Sequence, residues 1–124
     1  MSTRPRVMIA DDYPAMVKAV SRVLSHDCDV VGTVADGRAL LEAAERLQPD
    51  VILLDLSLPN ANGLEACREI TQAHPQIRVI VFTAHVDPHL VERSLAVGAS
   101  AFVSKLGDNG DLLSTVKRVS VGDR

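Results

Sequence analysis

Val51-Ile52-Leu53-Leu54-Asp55 is a run of four large apolar residues closed by a carboxylate. A short unbroken apolar run of this kind reads as a strand covered on both faces, as in a parallel sheet. Three further stretches share the form. Val7-Met8-Ile9-Ala10 runs into Asp11-Asp12, Val79-Ile80-Val81-Phe82 into Thr83, and Ala101-Phe102-Val103-Ser104 into Lys105. Each of the four ends in a residue that can bind or react. Ligands of an open parallel α/β sheet bind outside the carboxyl ends of the strands, where strand order reverses.

Amphipathic helices fill the intervals. Pro14 suits a first helical turn with Asp12 or Tyr13 at the cap, and Met16, Val17, Val20, Val23 and Leu24 follow at helical spacing. A further strand, Asp29 to Val34, stops at Asp36-Gly37. The next helix, through Leu40, Ala44 and Leu47, ends before Pro49, which cannot continue it. The cluster Pro59-Asn60-Ala61-Asn62-Gly63 opens a third helix that carries Leu64, Cys67 and Ile70 and stops at His74-Pro75. Asp87-Pro88 starts a fourth, closed by Gly98; Asp108 or Asp111 caps a fifth, with Leu112, Val116 and Val119 as its stripe.

Strands alternating with helices predict an α/β fold with a doubly wound, five-stranded parallel sheet. In the order 2-1-3-4-5 the first and third strands lie side by side. Asp11, Asp12 and Asp55 then become neighbours despite their separation along the chain.

The chain has 124 residues, enough for one domain with its own core. Its net charge of −3 offers no basic surface of the kind that binds nucleic acid. Cys28 and Cys67 lack CxxC spacing and read as buried reduced thiols. Met1-Ser2-Thr3-Arg4-Pro5 leads straight into the first strand, with no signal-peptide pattern, and no apolar stretch is long enough for a membrane span. The expected compartment is the cytoplasm.

Singly, Asp11 and Asp12 read as a helix cap and Asp55 as a turn residue. Together, three carboxylates repel, their pKa values are expected to rise, and a cation relieves the strain. An all-oxygen donor set suits Mg2+. Asp55, between two other strand ends, is expected to lie deepest and to be the nucleophile of an aspartyl-phosphate. Mg2+ on Asp12 and Asp55 takes phosphoryl oxygens, Lys105 takes another as a point charge, and the Thr83 hydroxyl donates to a third. Ala84 is small enough to leave an approach path.

The stretches Val7 to Asp12, Leu54-Asp55-Leu56-Ser57-Leu58-Pro59, Thr83-Ala84 and Gly98 to Lys105 resemble, in order, the signatures of bacterial response-regulator receiver domains. That resemblance implies a flavodoxin-like (βα)5 fold, phosphotransfer from a sensor histidine kinase to Asp55, and Mg2+ held by Asp11, Asp12, Asp55 and the Ser57 backbone carbonyl. It implies a switch in which Thr83 moves toward the phosphoryl group while Phe102 turns inward. It also implies a signalling phosphoacceptor rather than an enzyme, with self-catalysed phosphotransfer and autodephosphorylation only, and a possible homodimer on phosphorylation.

Many receivers carry proline after the lysine; Leu106 stands there in this chain, so a trans peptide is expected. With Gly107-Asp108 following, the pattern resembles the subgroup with a C-terminal helix-turn-helix output domain. The receiver would then span the chain, with a linker starting near Val119, and DNA would be reached only through the separate domain to control transcription.

Other classes fit less well. GxxxxGK[ST] and GxGxxG are both missing, few aromatics are present to stack on a flavin, and a dehalogenase-type hydrolase would place an acid where Ser57 stands. The alternative is a receiver-like interaction module that works without phosphorylation; such modules usually lose an acid, the Thr or the Lys. His26, His74, His85 and His89 show no ligand spacing, since Pro88 interrupts the 85/89 pair. By position, Ser57 and His85 flank the path of an attacking water and would tune dephosphorylation. Ser57 is expected to leave that path open.

Overall fold

The computed structural model describes residues 4–84, 87–107 and 109–121. Among these, five strands alternate with five helices. They are β1 (Arg6–Ala10), α1 (Pro14–Leu24), β2 (Asp29–Val34), α2 (Gly37–Leu47), β3 (Val51–Leu54), α3 (Gly63–Ala73), β4 (Arg78–Thr83), α4 (Pro88–Ala96), β5 (Ala101–Ser104) and α5 (Asn109–Ser120). All strand pairs are parallel and the order is β2-β1-β3-β4-β5, as the alternation predicted.

The central strands separate two apolar layers by simple alternation. Met8, Ala10, Ile52, Leu54, Val79 and Val81 face Leu40 and Ala44 of α2 and Cys67 and Ile70 of α3. Val7, Ile9, Val51, Leu53, Ile80 and Phe82 face Val20 and Leu24 of α1 and Leu112, Val116 and Val119 of α5. Each fully buried Ile or Leu contributes roughly 1.5–3 kcal/mol, and both faces of every central strand are covered. That is why β3 needs only four residues and none of them polar.

Local chemistry sets the helix ends. Tyr13 is the N-cap of α1 and makes no side-chain cap bond; Pro14 starts the helix. Asp36, Asn62 and Asp87 cap α2, α3 and α4 through side-chain oxygens that accept from Arg38, Glu65 and His89 backbone N–H groups. Asp111 lies inside the first turn of α5 rather than at its cap, where it still complements the helix dipole. Asp108, the other expected cap, lies outside the described residues. Val119, near which a linker is expected to start, is a core residue of α5. Cys28 and Cys67 are buried free thiols, and burial pushes the Cys67 thiol up to about 11, which keeps it unreactive.

Candidate functional site

The carboxyl ends of β1 and β3 meet as expected. Leu54 pairs with Ala10, and the Asp55 backbone N–H donates to the Ala10 carbonyl at 3.0 Å. One oxygen each from Asp11, Asp12 and Asp55 lies within 4.8 Å of the others. Asp11 is 3 % exposed and Asp55 5 %, so Asp55 is not the deepest acid; Asp11 is at least as enclosed. Asp12 faces solvent.

Lys105 joins the acids from β5. Its Nζ donates to Asp11 Oδ2 at 2.5 Å and to Asp55 Oδ2 at 2.8 Å, with the lysine side chain only 9 % exposed. The ammonium also stands 5.7 Å from the centre of the Phe82 ring, within cation–π range. The Lys105 backbone N–H donates to the Thr83 carbonyl, which fixes the lysine against the end of β4. Among the described residues no peptide bond is cis, including the one before Leu106.

The expected rise in carboxylate pKa is overturned at Asp55. Burial pushes this carboxyl up, but hydrogen bonds from the Lys105 ammonium and from the Ser57 backbone and hydroxyl outweigh burial and hold it below the usual carboxylate range. Burial likewise pulls the Lys105 ammonium down, and its bonds to Asp11 and Asp55 more than reverse that. Repulsion among the acids is offset because a lysine 50 positions after Asp55 reaches between two of them, which residue spacing does not reveal.

Ser57 also does more than leave a path open. Its N–H and its Oγ both donate to Asp55 Oδ1, at 2.9 and 2.8 Å. Oδ1 thereby has both lone-pair sites taken, and Oδ2, with one bond from Lys105, keeps one free. Asp11 is held in the same manner, its Oδ1 accepting the Tyr13 N–H at 2.9 Å. Thr83 is buried at the end of β4, two residues beyond Val81, the partner of Leu54. Phe102 is half-buried and packs against the α2–α3 side of the core. His85 lies outside the described residues.

A cleft of about 410 Å³ opens beside the acids, lined by Asp11, Asp12, Pro14, Val17, Lys18 and Thr33. A larger depression, about 580 Å³, lies near the opposite edge and includes Arg78, whose buried Nη1 finds no partner among the described residues. No carboxylate lines it, so it is the smaller cleft that fits a cation. The donor set of the acid cluster is entirely hard oxygen, and a lysine ammonium already stands in for positive charge there. Both features fit a divalent ion such as Mg2+. Among the described residues no histidine joins a metal-ligand cluster.

A parallel sheet of this order with acids, a hydroxyl and a lysine at its carboxyl edge defines a class, and the chain belongs to it: the response regulator receiver domain family, whose model matches residues 7–117. The chain is 35% identical over 119 residues to the transcriptional regulatory protein DegU of Brevibacillus brevis, a match covering 94% of this chain and 50% of that protein. It is 32% identical over 122 residues to the response regulator GacA of Pseudomonas viridiflava, covering 96% and 56%. The chain thus spans about half the length of the curated relatives it matches. Its fold superposes with a TM-score of 0.92 on the signal receiver domain of the response regulator NarL from Mycobacterium tuberculosis, at 31% identity over 98% of this chain and 99% of that one. None of the described helices is long and apolar enough to cross a membrane.

Proposed function

We propose that this chain is the phosphoacceptor of a phosphorelay in the cytoplasm, taking a phosphoryl group on Asp55 from a sensor histidine kinase. The observation that carries the reading is the Lys105 ammonium bridging Asp11 and Asp55 at an edge where acids outnumber it. Such an edge is matched to a phosphoryl group arriving with a divalent cation, because both add charge that the acids and the lysine complement.

In the step itself a free lone pair of the Asp55 carboxylate attacks phosphorus and an acyl phosphate forms. The bond from phosphorus to the donor nitrogen breaks, and its electron pair leaves with the donor imidazole. Asp11, Asp12, Asp55 and the Ser57 backbone carbonyl would hold Mg2+, which supplies positive charge against the phosphoryl oxygens. Lys105 exchanges a carboxylate partner for a phosphoryl oxygen, and the Thr83 hydroxyl donates to another. Phe102, half-buried beside the core, is the aromatic that follows Thr83 in the switch. Ser57 and, by its place in the sequence alone, His85 would tune the attack of the water that ends the signal. The chain acts as a switch and not as a turnover enzyme.

The likeness to the transcriptional regulatory protein of Brevibacillus brevis supports transcription as the output, which in this reading is exerted through a separate C-terminal helix-turn-helix domain. Homodimerisation on phosphorylation fits the same scheme. Incubation with Mg2+ and acetyl phosphate, followed by intact-mass measurement, tests the core claim. A gain of one phosphoryl group that needs Mg2+ is expected. No gain at any Mg2+ concentration would leave an interaction module that works unphosphorylated.

A further inference from the structure

We infer that the turn between β2 and α2, Asp36-Gly37, is a clamp that sets the cation affinity of the acid cluster by fixing the loop on which Asp55 and Ser57 stand. The inference rests on the proposed cation site in its choice of readout, and on geometry for its substance.

The loop from Asp55 to Asn62 is held on both sides of Ser57. Before it, the Leu56 backbone lies against Gly63, where an added Cβ would come within 2.7 Å of Leu56 Cα and of its carbonyl oxygen. After it, Leu58 is buried in the core and its N–H donates to the Asp55 carbonyl at 3.2 Å. Ser57 itself is exposed, so core packing does not hold it.

The tip of the loop is fastened to a different crossover. The Gly37 N–H donates to the Pro59 carbonyl at 2.8 Å, and Asn60 Nδ2 donates to Asp36 Oδ2 at 2.5 Å. Asn60 adopts φ +61, a left-handed conformation that asparagine tolerates and that this bond helps to hold. Gly37 and Ala61 are in such close approach that a Cβ at Gly37 would stand 2.0 Å from the Ala61 Cβ. Asp36 meanwhile caps α2 through its other oxygen, at 2.7 Å from the Arg38 N–H. One residue thus anchors a helix start and the acceptor loop together.

A loop pinned at residues 56, 58, 59 and 60 leaves the peptide of Ser57 no independent freedom. Displacing the tip moves Ser57, and with it the two hydrogen bonds that orient Asp55 Oδ1. Gly37 and Asn60 are therefore positioning residues, acting through Ser57 without touching the acids themselves.

Mg2+ titration calorimetry on the 124-residue chain, without phosphodonor, tests this beside urea unfolding of the metal-free protein. Gly37→Ala should weaken Mg2+ about tenfold, the lower end of what loss of a supporting shell costs. Gly37→Ala with Ala61→Gly removes the nearest clashing atom and should recover most of the affinity. Asn60→Gly keeps the left-handed backbone accessible but drops the bond to Asp36, so it should fold and bind Mg2+ more weakly; it decides the matter even if Gly37→Ala fails to fold. Unchanged affinity in the folded single variants, whatever their urea midpoints, overturns the clamp. A parent that binds Mg2+ and responds to these changes yet gains no phosphoryl group overturns the phosphoacceptor reading alone. A parent that binds no Mg2+ overturns both.

Discussion

The two edges of the sheet use the same kinds of residues to opposite ends. At the amino edge, charged groups are matched to backbone. Arg4 donates to Asp29 at 2.8 Å and to the carbonyls of His26, Ser25 and Cys28, closing the end of α1. Asp50 Oδ2 accepts the Arg6 N–H at 2.8 Å, and Arg6 Nη1 donates to the Gln48 carbonyl after α2. At the carboxyl edge Asp11, Asp12 and Asp55 converge, Lys105 bridges Asp11 and Asp55, and acid is left in excess. The contrast teaches that the β1–β2 corner of the amino edge is finished by folding, whereas the carboxyl edge is built with a charge deficit that a ligand completes.

The largest effect is expected where the deficit is used. Asp55→Asn should abolish phosphoryl gain from acetyl phosphate outright, because an amide is no nucleophile for this step; intact mass reads it directly. A variant that still gained the group on another residue would break the assignment of Asp55. Next comes Lys105→Met. Removing the ammonium leaves two enclosed carboxylates unpaired and should cost the metal-free protein about 3 kcal/mol in urea unfolding. Added Mg2+ should return much of it, by mass action on the folded state. A variant as stable as the parent without metal would mean that the carboxyl edge is not charge-starved.

Acidity sharpens the same point. Burial, outweighed by the Lys105 and Ser57 hydrogen bonds, leaves the folded pKa of Asp55 depressed. Its contribution is therefore fully present above the ordinary carboxylate value and lost as pH falls through the depressed one. Burial, outweighed by the two carboxylates, leaves Lys105 raised, so its share persists at neutral pH and is lost only as pH rises through that raised value. The stability gap between parent and Lys105→Met should thus be wide at about pH 7 and close as pH falls below about 4. A gap independent of pH would assign the lysine's effect to packing on Phe82 instead.

Most of this fold is legible in the chain because the signals are short-range. β2, β3 and β5 run as the apolar pattern delimits them; β1 gains Arg6 and β4 gains Arg78 at the start, which the pattern drops as charged, and β4 also takes in Thr83 at its end. The convergence of Asp11, Asp12 and Asp55 is legible too, since strand order alone dictates it. What depends on side-chain reach is not. Nothing in spacing says that Lys105 bridges two acids, that Ser57 bonds back to Asp55, or that Asn60 finds Asp36 across two crossovers. The Gly37–Ala61 approach left one sequence trace, a glycine directly after the cap of α2, which reads equally well as an ordinary turn.

Asp12 separates cap from ligand. It faces solvent, and α1 is capped at Tyr13 without a side-chain bond, so Asp12→Ala should change metal-free stability by no more than about 0.5 kcal/mol. The Mg2+-dependent rise in thermal midpoint should nevertheless vanish. Strong destabilisation without metal would make Asp12 a structural residue and narrow the deficit to Asp11 and Asp55.

The smallest effect belongs to the amino edge and serves as the control for all the others. Arg4→Ala removes the Asp29 ion pair and the donors to three carbonyls at the end of α1. Both charged side chains of the pair are roughly half exposed, and water replaces much of what they lose, so only a slight drop in urea midpoint is expected. The drop should shrink further in high salt, which screens an exposed pair. Mg2+ affinity should not move, because Arg4 reaches the acids only through the length of the buried strand β1, whose position the core fixes. If Arg4→Ala weakened Mg2+ binding while leaving the fold intact, strand β1 would be transmitting strain from one edge to the other, and the two edges could no longer be treated as separate regions.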